Sequence, residues 1–305
     1  MLLNRRIVAF AAVLMVALVF GGCKSKFEKL RASNNIALKY QEALKLYNNG
    51  KYSKALILFD DLMKQYRGAA EAEDLYYYTA YSSYKLRDYP SARHYFRMFT
   101  DTYPNSARTE ECRYMAAYCY YLESPRSTLD QEYTYRAIEA LQLFINLYPG
   151  TERAEEAAEL IADLRDKLET KAFTNAKYYL DMGLQDDYRA AVLAFDNVLI
   201  EFPDTKYAEE MEFLSIKAQY LYASNSTLHR QEERYNEAIE FYNRFTSSYP
   251  ESKFTKEADA LRKAADDGIA QANKRIAEIN AAVAERNQRP NDPVAETENT
   301  SLSQP

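Results

Sequence analysis

Tryptophan is absent from this 305-residue chain, and there are only seven Gly and nine Pro. Folds that need positive φ at many turns, such as β-sandwiches, barrels and Gly-cradled phosphate sites, are excluded by that shortage. No two glycines of the mature chain fall within a dozen residues of one another, so no phosphate loop can be built. Histidine is nearly missing too: His94 and His229 are isolated, which leaves no metal-ligand spacing and no base beside a nucleophile. Neither a cofactor nor a metal is expected, and the chain does not read as an enzyme. Excess positive charge is also lacking. The net charge is −6, and becomes −8 once Arg5 and Arg6 leave with the leader described below, so nonspecific nucleic-acid binding is excluded. What is abundant is tyrosine, 28 residues of it, in a chain that is 47% hydrophobic and 28% charged and must therefore fold.

The N-terminus has the three parts of a secretory leader: Arg5 and Arg6, then 14 uncharged residues from Ile7 to Phe20, then Gly21, Gly22 and Cys23. Fourteen residues rise about 21 Å as a helix, short of the roughly 30 Å of bilayer hydrocarbon, so a permanent span is disfavoured. Small residues before a cysteine resemble the bacterial lipobox, which implies a signal peptide over 1–22 and acylation of Cys23 in a short linker, 23–33. Several acyl chains give stable membrane attachment. By the same resemblance, Lys24, Ser25 and Lys26 lack the Asp of inner-membrane retention, which points to the outer membrane. The remaining cysteines, Cys112 and Cys119, are seven residues apart on a helical stretch, hence about 10 Å, too far for a disulfide; they read as core.

A register emerges from Tyr103-Pro104, Tyr148-Pro149, Phe202-Pro203 and Tyr249-Pro250, with Tyr66 as a fifth copy lacking the proline. Eleven residues before each aromatic stands Ala (55, 92, 137, 191, 238), and seven before it a large apolar residue: Phe59, Phe96, Leu141, Phe195, Tyr242. A tyrosine fourteen residues before the aromatic occurs in four copies, Tyr52, Tyr89, Tyr188 and Tyr235. The small residue admits a neighbouring helix, the large one fills the gap, and proline stops the helix. This is the second half of a tetratricopeptide (TPR) unit. The fold expected is all-α: an α-solenoid of about five TPR hairpins with a long C-terminal helix. Intervals of 37, 45, 54 and 47 residues exceed the standard 34, so extra residues are placed in loops near 123–130 and 224–231 and in a helix over 151–182. Units 1–3 then occupy 34–150, units 4–5 with the last helix 151–287, and a disordered tail 288–305. The last helix shows a sparse stripe of Leu261, Ile269, Ile276 and Ile279.

First helices of a TPR array face a peptide-binding groove. Here they carry Tyr77, Tyr81 and Tyr84, repeated 37 residues later as Tyr114, Tyr118 and Tyr121, and 37 residues earlier as Tyr40, Leu44 and Tyr47. Offsets of 0, 4 and 7 place each set on one helix face. Two readings of that face stand: an aromatic stripe that is simply core, or a tyrosine-lined groove for an aromatic-ended or β-prone peptide, in which rigid amphipathic rings give contact area at low entropy cost. Lys39, Lys45, Lys85, Arg87, Arg93 and Arg97 lie nearby in sequence, as receivers of a terminal carboxylate or as an ordinary solvated face.

The leader, the repeats, the run Ala176-Lys177-Tyr178-Tyr179 through Phe202-Pro203-Asp204-Thr205, and Ala43-Leu44-Lys45-Leu46-Tyr47 through Tyr52-Ser53-Lys54-Ala55 together resemble the outer-membrane protein assembly factor BamD family over roughly 25–260. That resemblance implies a lipid-anchored protein on the periplasmic face of the outer membrane, part of the β-barrel assembly (BAM) complex. Its implied partners are the POTRA domains of a BamA-like insertase, held by the C-terminal units, and unfolded β-barrel substrates, received in the N-terminal groove. The alternative is another TPR lipoprotein adaptor, such as a pilotin for secretin or pilus assembly or a cell-envelope division coordinator.

Overall fold

Proline sets the ends of the repeats. Tyr103, Tyr148 and Tyr249 adopt nearly one conformation, φ −124°, −130° and −131° with ψ 60°, 57° and 67°. A residue before proline is pushed out of the helical region, so the helix closes there. Each tyrosine N–H still donates to the carbonyl four residues back, on Phe99, Phe144 and Phe245. Each ring rests on that same phenylalanine, at 5.4, 5.2 and 5.6 Å between centroids.

The computed structural model describes residues 25–66, 71–183 and 185–288. The signal peptide expected over 1–22, the acylation site Cys23 and the tail from 289 onward lie outside them. Among the described residues there are twelve helices and no strands. They are α1 (Lys26–Arg31), α2 (Ile36–Asn48), α3 (Tyr52–Met63), α4 (Glu71–Lys85), α5 (Tyr89–Thr102) and α6 (Thr109–Glu123). Then follow α7 (Glu132–Leu147), α8 (Glu152–Met182), α9 (Gln185–Glu201), α10 (Ala208–Ser224), α11 (Leu228–Ser248) and α12 (Thr255–Gln288). The all-α repeat architecture read from the sequence is the one present.

Contacts divide the chain into two compact units that meet between Lys167 and Leu168, inside α8. The expected halves met at 150/151. The difference arises because the first half of α8 packs on unit 1, with Ala157 and Leu164 buried in its core and Lys167 Nζ donating to Ser124 Oγ at 2.8 Å. Within unit 1 each of α2 to α7 packs on the next; within unit 2, α9 to α12 do the same, and α12 also reaches α10.

The repeat register is the core. Ala55, Ala92, Ala137, Ala191 and Ala238 are all buried, as are Phe59, Phe96, Leu141 and Phe195. The fifth large residue departs from the pattern: Tyr242 is only half-buried, and its hydroxyl donates to Asp259 at 2.7 Å. Cys112 and Cys119 are free, fully buried thiols, and burial pushes both up to about 12.

Three other expectations change. The loop placed at 224–231 shrinks to 225–227, because α11 starts at Leu228. There the Gln231 side chain donates to the Ser224 and Ser226 carbonyls, and the Arg234 guanidinium lies 3.9 Å from the Tyr222 ring centre. The linker contains α1, capped by Ser25 Oγ on the Glu28 N–H, with Phe27 and Leu30 packed on the first core cluster. The stripe of α12 is completed by buried alanines, Ala258, Ala265 and Ala272, each seven residues from the next; Leu261, Ile269 and Ile276 are half-buried, Ile269 packing on a core cluster, while Ile279 is 52% exposed. Alanine suffices because α11 comes close: a Cβ on Gly268 would stand 2.5 Å from the Tyr235 ring.

Candidate functional site

The first helices of unit 1 put their tyrosines into one connected sheet of rings. From Tyr52 the chain of ring contacts runs to Tyr47 (5.4 Å), Tyr78 (4.9 Å), Tyr77 (5.5 Å), Tyr81 (4.8 Å) and Tyr84 (6.3 Å). It crosses from α4 to α6 through Tyr84 and Tyr118 at 6.5 Å, then continues to Tyr114 and Tyr121 at 5.8 and 5.6 Å, both stacked. Tyr40 stands apart from this ribbon and meets Tyr66 at 6.1 Å.

On this face one ring is buried in the core and the others keep an accessible edge. Tyr114 is only 5% exposed and belongs to the core. Tyr40, Tyr47, Tyr77, Tyr81, Tyr84, Tyr118 and Tyr121 are half-buried, one edge packed on core clusters and the other accessible. Tyr81, for example, sets its ring edge-on to Phe96 at 5.1 Å.

Carboxylates two helices on, on the first helix of the next hairpin, fix four of the phenols. Tyr40 donates to Asp74 at 3.0 Å, Tyr77 and Tyr81 both donate to Glu111, and Tyr121 donates to Asp163 at 3.0 Å. Glu156 is the acidic neighbour of Tyr114. Burial first, and the neighbouring carboxylate second, holds the phenols of Tyr40, Tyr77, Tyr81, Tyr114 and Tyr121 above their ordinary range. Tyr47 is pushed up to about 12, mainly by burial. The face is therefore a proton-holding, hydrogen-bonding surface whose rings have little freedom left to lose.

The acids were missed in the sequence although their signal was there. Asp74, Glu111 and Glu156 recur at intervals of 37 and 45 residues, the same as those between the aromatic anchors. Tyr78, the link between Tyr47 and Tyr77, was missed because it lies off the 0, 4, 7 pattern. Three of the basic residues considered as carboxylate receivers do not serve this face. Lys39 is buried, Lys45 pairs with Glu42 at 3.5 Å, and Arg93 pairs with Glu123 while its guanidinium lies over Tyr120 at 4.0 Å. Lys85 does meet it, lying over the Tyr84 ring at 5.6 Å. Among the described residues no helix is long and apolar enough to cross a membrane.

The family model for YfiO, described as an outer membrane lipoprotein, matches residues 33–226, which takes in the whole tyrosine face. The chain belongs to that family. Among its relatives, the outer membrane protein assembly factor BamD of Rickettsia prowazekii is 25% identical over 83% of this chain and 96% of its own length. BamD of Caulobacter vibrioides is 26% identical, covering 87% of this chain and 83% of its own. The putative BamD of Aquifex aeolicus is 27% identical over 75% and 74%. Among solved structures, the TPR2AB domain of yeast Sti1 covers 76% of this chain and 98% of its own at 12% identity, with a TM-score of 0.35.

Proposed function

We propose that this chain is an outer-membrane-anchored, periplasmic assembly factor for β-barrel proteins and a non-catalytic component of a BAM-type complex. Acyl chains on Cys23 hold it to the membrane. The tyrosine face of unit 1 receives the C-terminal segment of an unfolded barrel, and unit 2 holds a BamA-like insertase through its POTRA domains. Family membership, together with the relatives' description as assembly factors, supports the general role. The observation that carries the receptor role is the ribbon of rings, most of them half-buried, which pack on one another and are tied to Glu111 and Asp163. A surface already ordered loses little entropy on binding, and tyrosine offers both ring area and a hydroxyl to an extended, aromatic-rich strand.

The test replaces Tyr84 and Tyr118 with Ser in the full chain and measures affinity for a barrel-derived C-terminal peptide. Binding should weaken about tenfold or more, roughly 1.4 kcal/mol, with helical circular dichroism unchanged. Unchanged affinity refutes the receptor assignment. The Cys23→Ser protein should move to the soluble periplasmic fraction, and persistent membrane fractionation contradicts the anchor.

A further inference from the structure

Unit 1 has a second recessed surface, unrelated to the tyrosine face. Two adjoining cavities of about 510 and 440 Å³ lie along α5, α6 and α7 and share Arg97, Asp101 and Tyr120. α6 contributes Arg113, Ala116, Ala117 and Tyr120. Its tyrosine series begins one residue later, about 100° around the helix, so the two surfaces use different sides of the same element. The small side chains Ala116, Ala117 and Ala140 leave the space open, and Leu143 and Leu147 line it while remaining 56% and 48% exposed.

Four arginines stand around this recess, and two are engaged. Arg93 is bound to Glu123, and Arg136 to Glu132 at 2.5 Å. Among the described residues Arg97 and Arg113 enter no ion pair, and Arg113 Nε is buried without a hydrogen-bond partner. A buried guanidinium N–H without an acceptor is destabilising, and a carboxylate is the acceptor whose geometry a guanidinium matches best. Asp101 and Glu139 line the same cavity, so a densely anionic ligand is repelled while a single carboxylate is accommodated. Two joined cavities also exceed what one small ion fills.

We propose that this recess is a second docking site, which takes an extended segment of a partner protein carrying one carboxylate between large apolar side chains. The carboxylate accepts from Arg97 and Arg113, and the apolar side chains cover the alanine floor beside Leu143 and Leu147. Asp101 and Glu139 accept main-chain N–H groups of the segment.

The test uses the full chain in nanodiscs and fluorescence anisotropy with a labelled, end-blocked Val-Leu-Asp-Leu-Phe peptide, whose single carboxylate is the Asp. Saturable binding is expected, weakened about tenfold or more by Arg97→Glu or by replacing the peptide's Asp with Asn. Ala140→Leu, which fills the floor from a half-buried position without changing charge, should weaken it as well. The Tyr84→Ser, Tyr118→Ser protein should bind this probe like the parent, which keeps this outcome separate from the receptor test above. Failure to bind, equal affinity for the Asn peptide, or indifference to both Arg97→Glu and Ala140→Leu overturns the proposal. Displacement by inorganic phosphate or by anionic-lipid vesicles as potent as displacement by unlabelled peptide also overturns it, by making the recess a general anion or headgroup site.

Discussion

Units 1 and 2 are built on one repeat and put the same positions to opposite use. Each first helix carries a buried alanine: Ala43, Ala80 and Ala117 in unit 1, Ala176 and Ala218 in unit 2. The residues three before, one after and four after it are Tyr40, Leu44 and Tyr47, then Tyr77, Tyr81 and Tyr84, then Tyr114, Tyr118 and Tyr121 in unit 1. In unit 2 they are Phe173, Lys177 and Leu180, then Ser215, Gln219 and Tyr222. All of these unit 2 positions except Lys177 are buried. Gln219 bonds Glu237 at 2.6 Å, and Tyr222 lies under Arg234. The acid series continues from Glu156 to Glu210, a 54-residue step, but Glu210 receives Lys177 Nζ at 3.3 Å instead of a phenol. The difference teaches that the repeat fixes where a first-helix side chain sits, while residue choice and the cover given by neighbouring side chains decide whether the face is closed packing or accessible: Tyr222, at the offset of Tyr84 and Tyr121, is buried beneath Arg234.

The largest effect that sharpens this comparison comes from the core of one unit. Phe96→Ala removes a fully buried ring and should cost about 3–5 kcal/mol. Hydrogen exchange should then accelerate throughout α4 to α7 while α10 to α12 keep their protection. Equal acceleration in both would show a single cooperative block and break the division into units.

A smaller contrast lies in the acid series. Glu111→Gln disturbs an acceptor shared by Tyr77 and Tyr81 and should destabilise by about 1–3 kcal/mol in chemical denaturation. The equivalent Glu210→Gln touches a more accessible ion pair with Lys177 and should cost less than about 1 kcal/mol. Comparable losses would mean that phenol–carboxylate bonds give unit 1 no special rigidity.

These acids mark how far the sequence can be read. The alanine and aromatic register, the proline stops and the buried cysteines were legible because each follows from local spacing and size. The Tyr–carboxylate bonds were not, since donor and acceptor are about 30–40 residues apart and meet only after hairpins stack. The alanine stripe of α12 was hidden because alanine serves equally on a solvated face, and only the approach of Tyr235 to Gly268 distinguishes the two. The early start of α11 is hidden because Leu228 to Gln231 is polar apart from its first residue, and it is held by Gln231 donating to carbonyls of the preceding turn.

Alkaline pH gives the next test. The native state keeps the Tyr47 proton up to about 12, whereas an unfolded phenol releases it near 10.0. That contribution to stability is whole below pH 10 and is lost as pH rises through about 12. Tyr40, Tyr77, Tyr81, Tyr84, Tyr114 and Tyr121 are raised in the same direction, against Tyr235, Tyr242 and Tyr249 in unit 2. Amide protection should fall further in unit 1 than in unit 2 over that range; an equal decline would contradict the phenol-rich account.

The smallest effect concerns a turn. Gly50 and Gly183 hold φ of 72° and 79° seven residues after Ala43 and Ala176, and the equivalent residue in the second hairpin is Arg87, at φ 61°. Arg87→Gly should stabilise unit 1 by about 0.5–1 kcal/mol in denaturant titration, because glycine adopts that conformation without the Cβ penalty. A destabilisation would show that the Arg87 side chain contributes more than its backbone strain removes.

The receiving role of the tyrosine face is tested most directly by a photo-crosslinking benzophenone side chain placed at Tyr84 or at Lys177 in the native envelope. Newly secreted β-barrel chains should be captured from position 84 and not from 177. Equal capture from both positions, or capture from 177 alone, would contradict the assignment of recognition to unit 1.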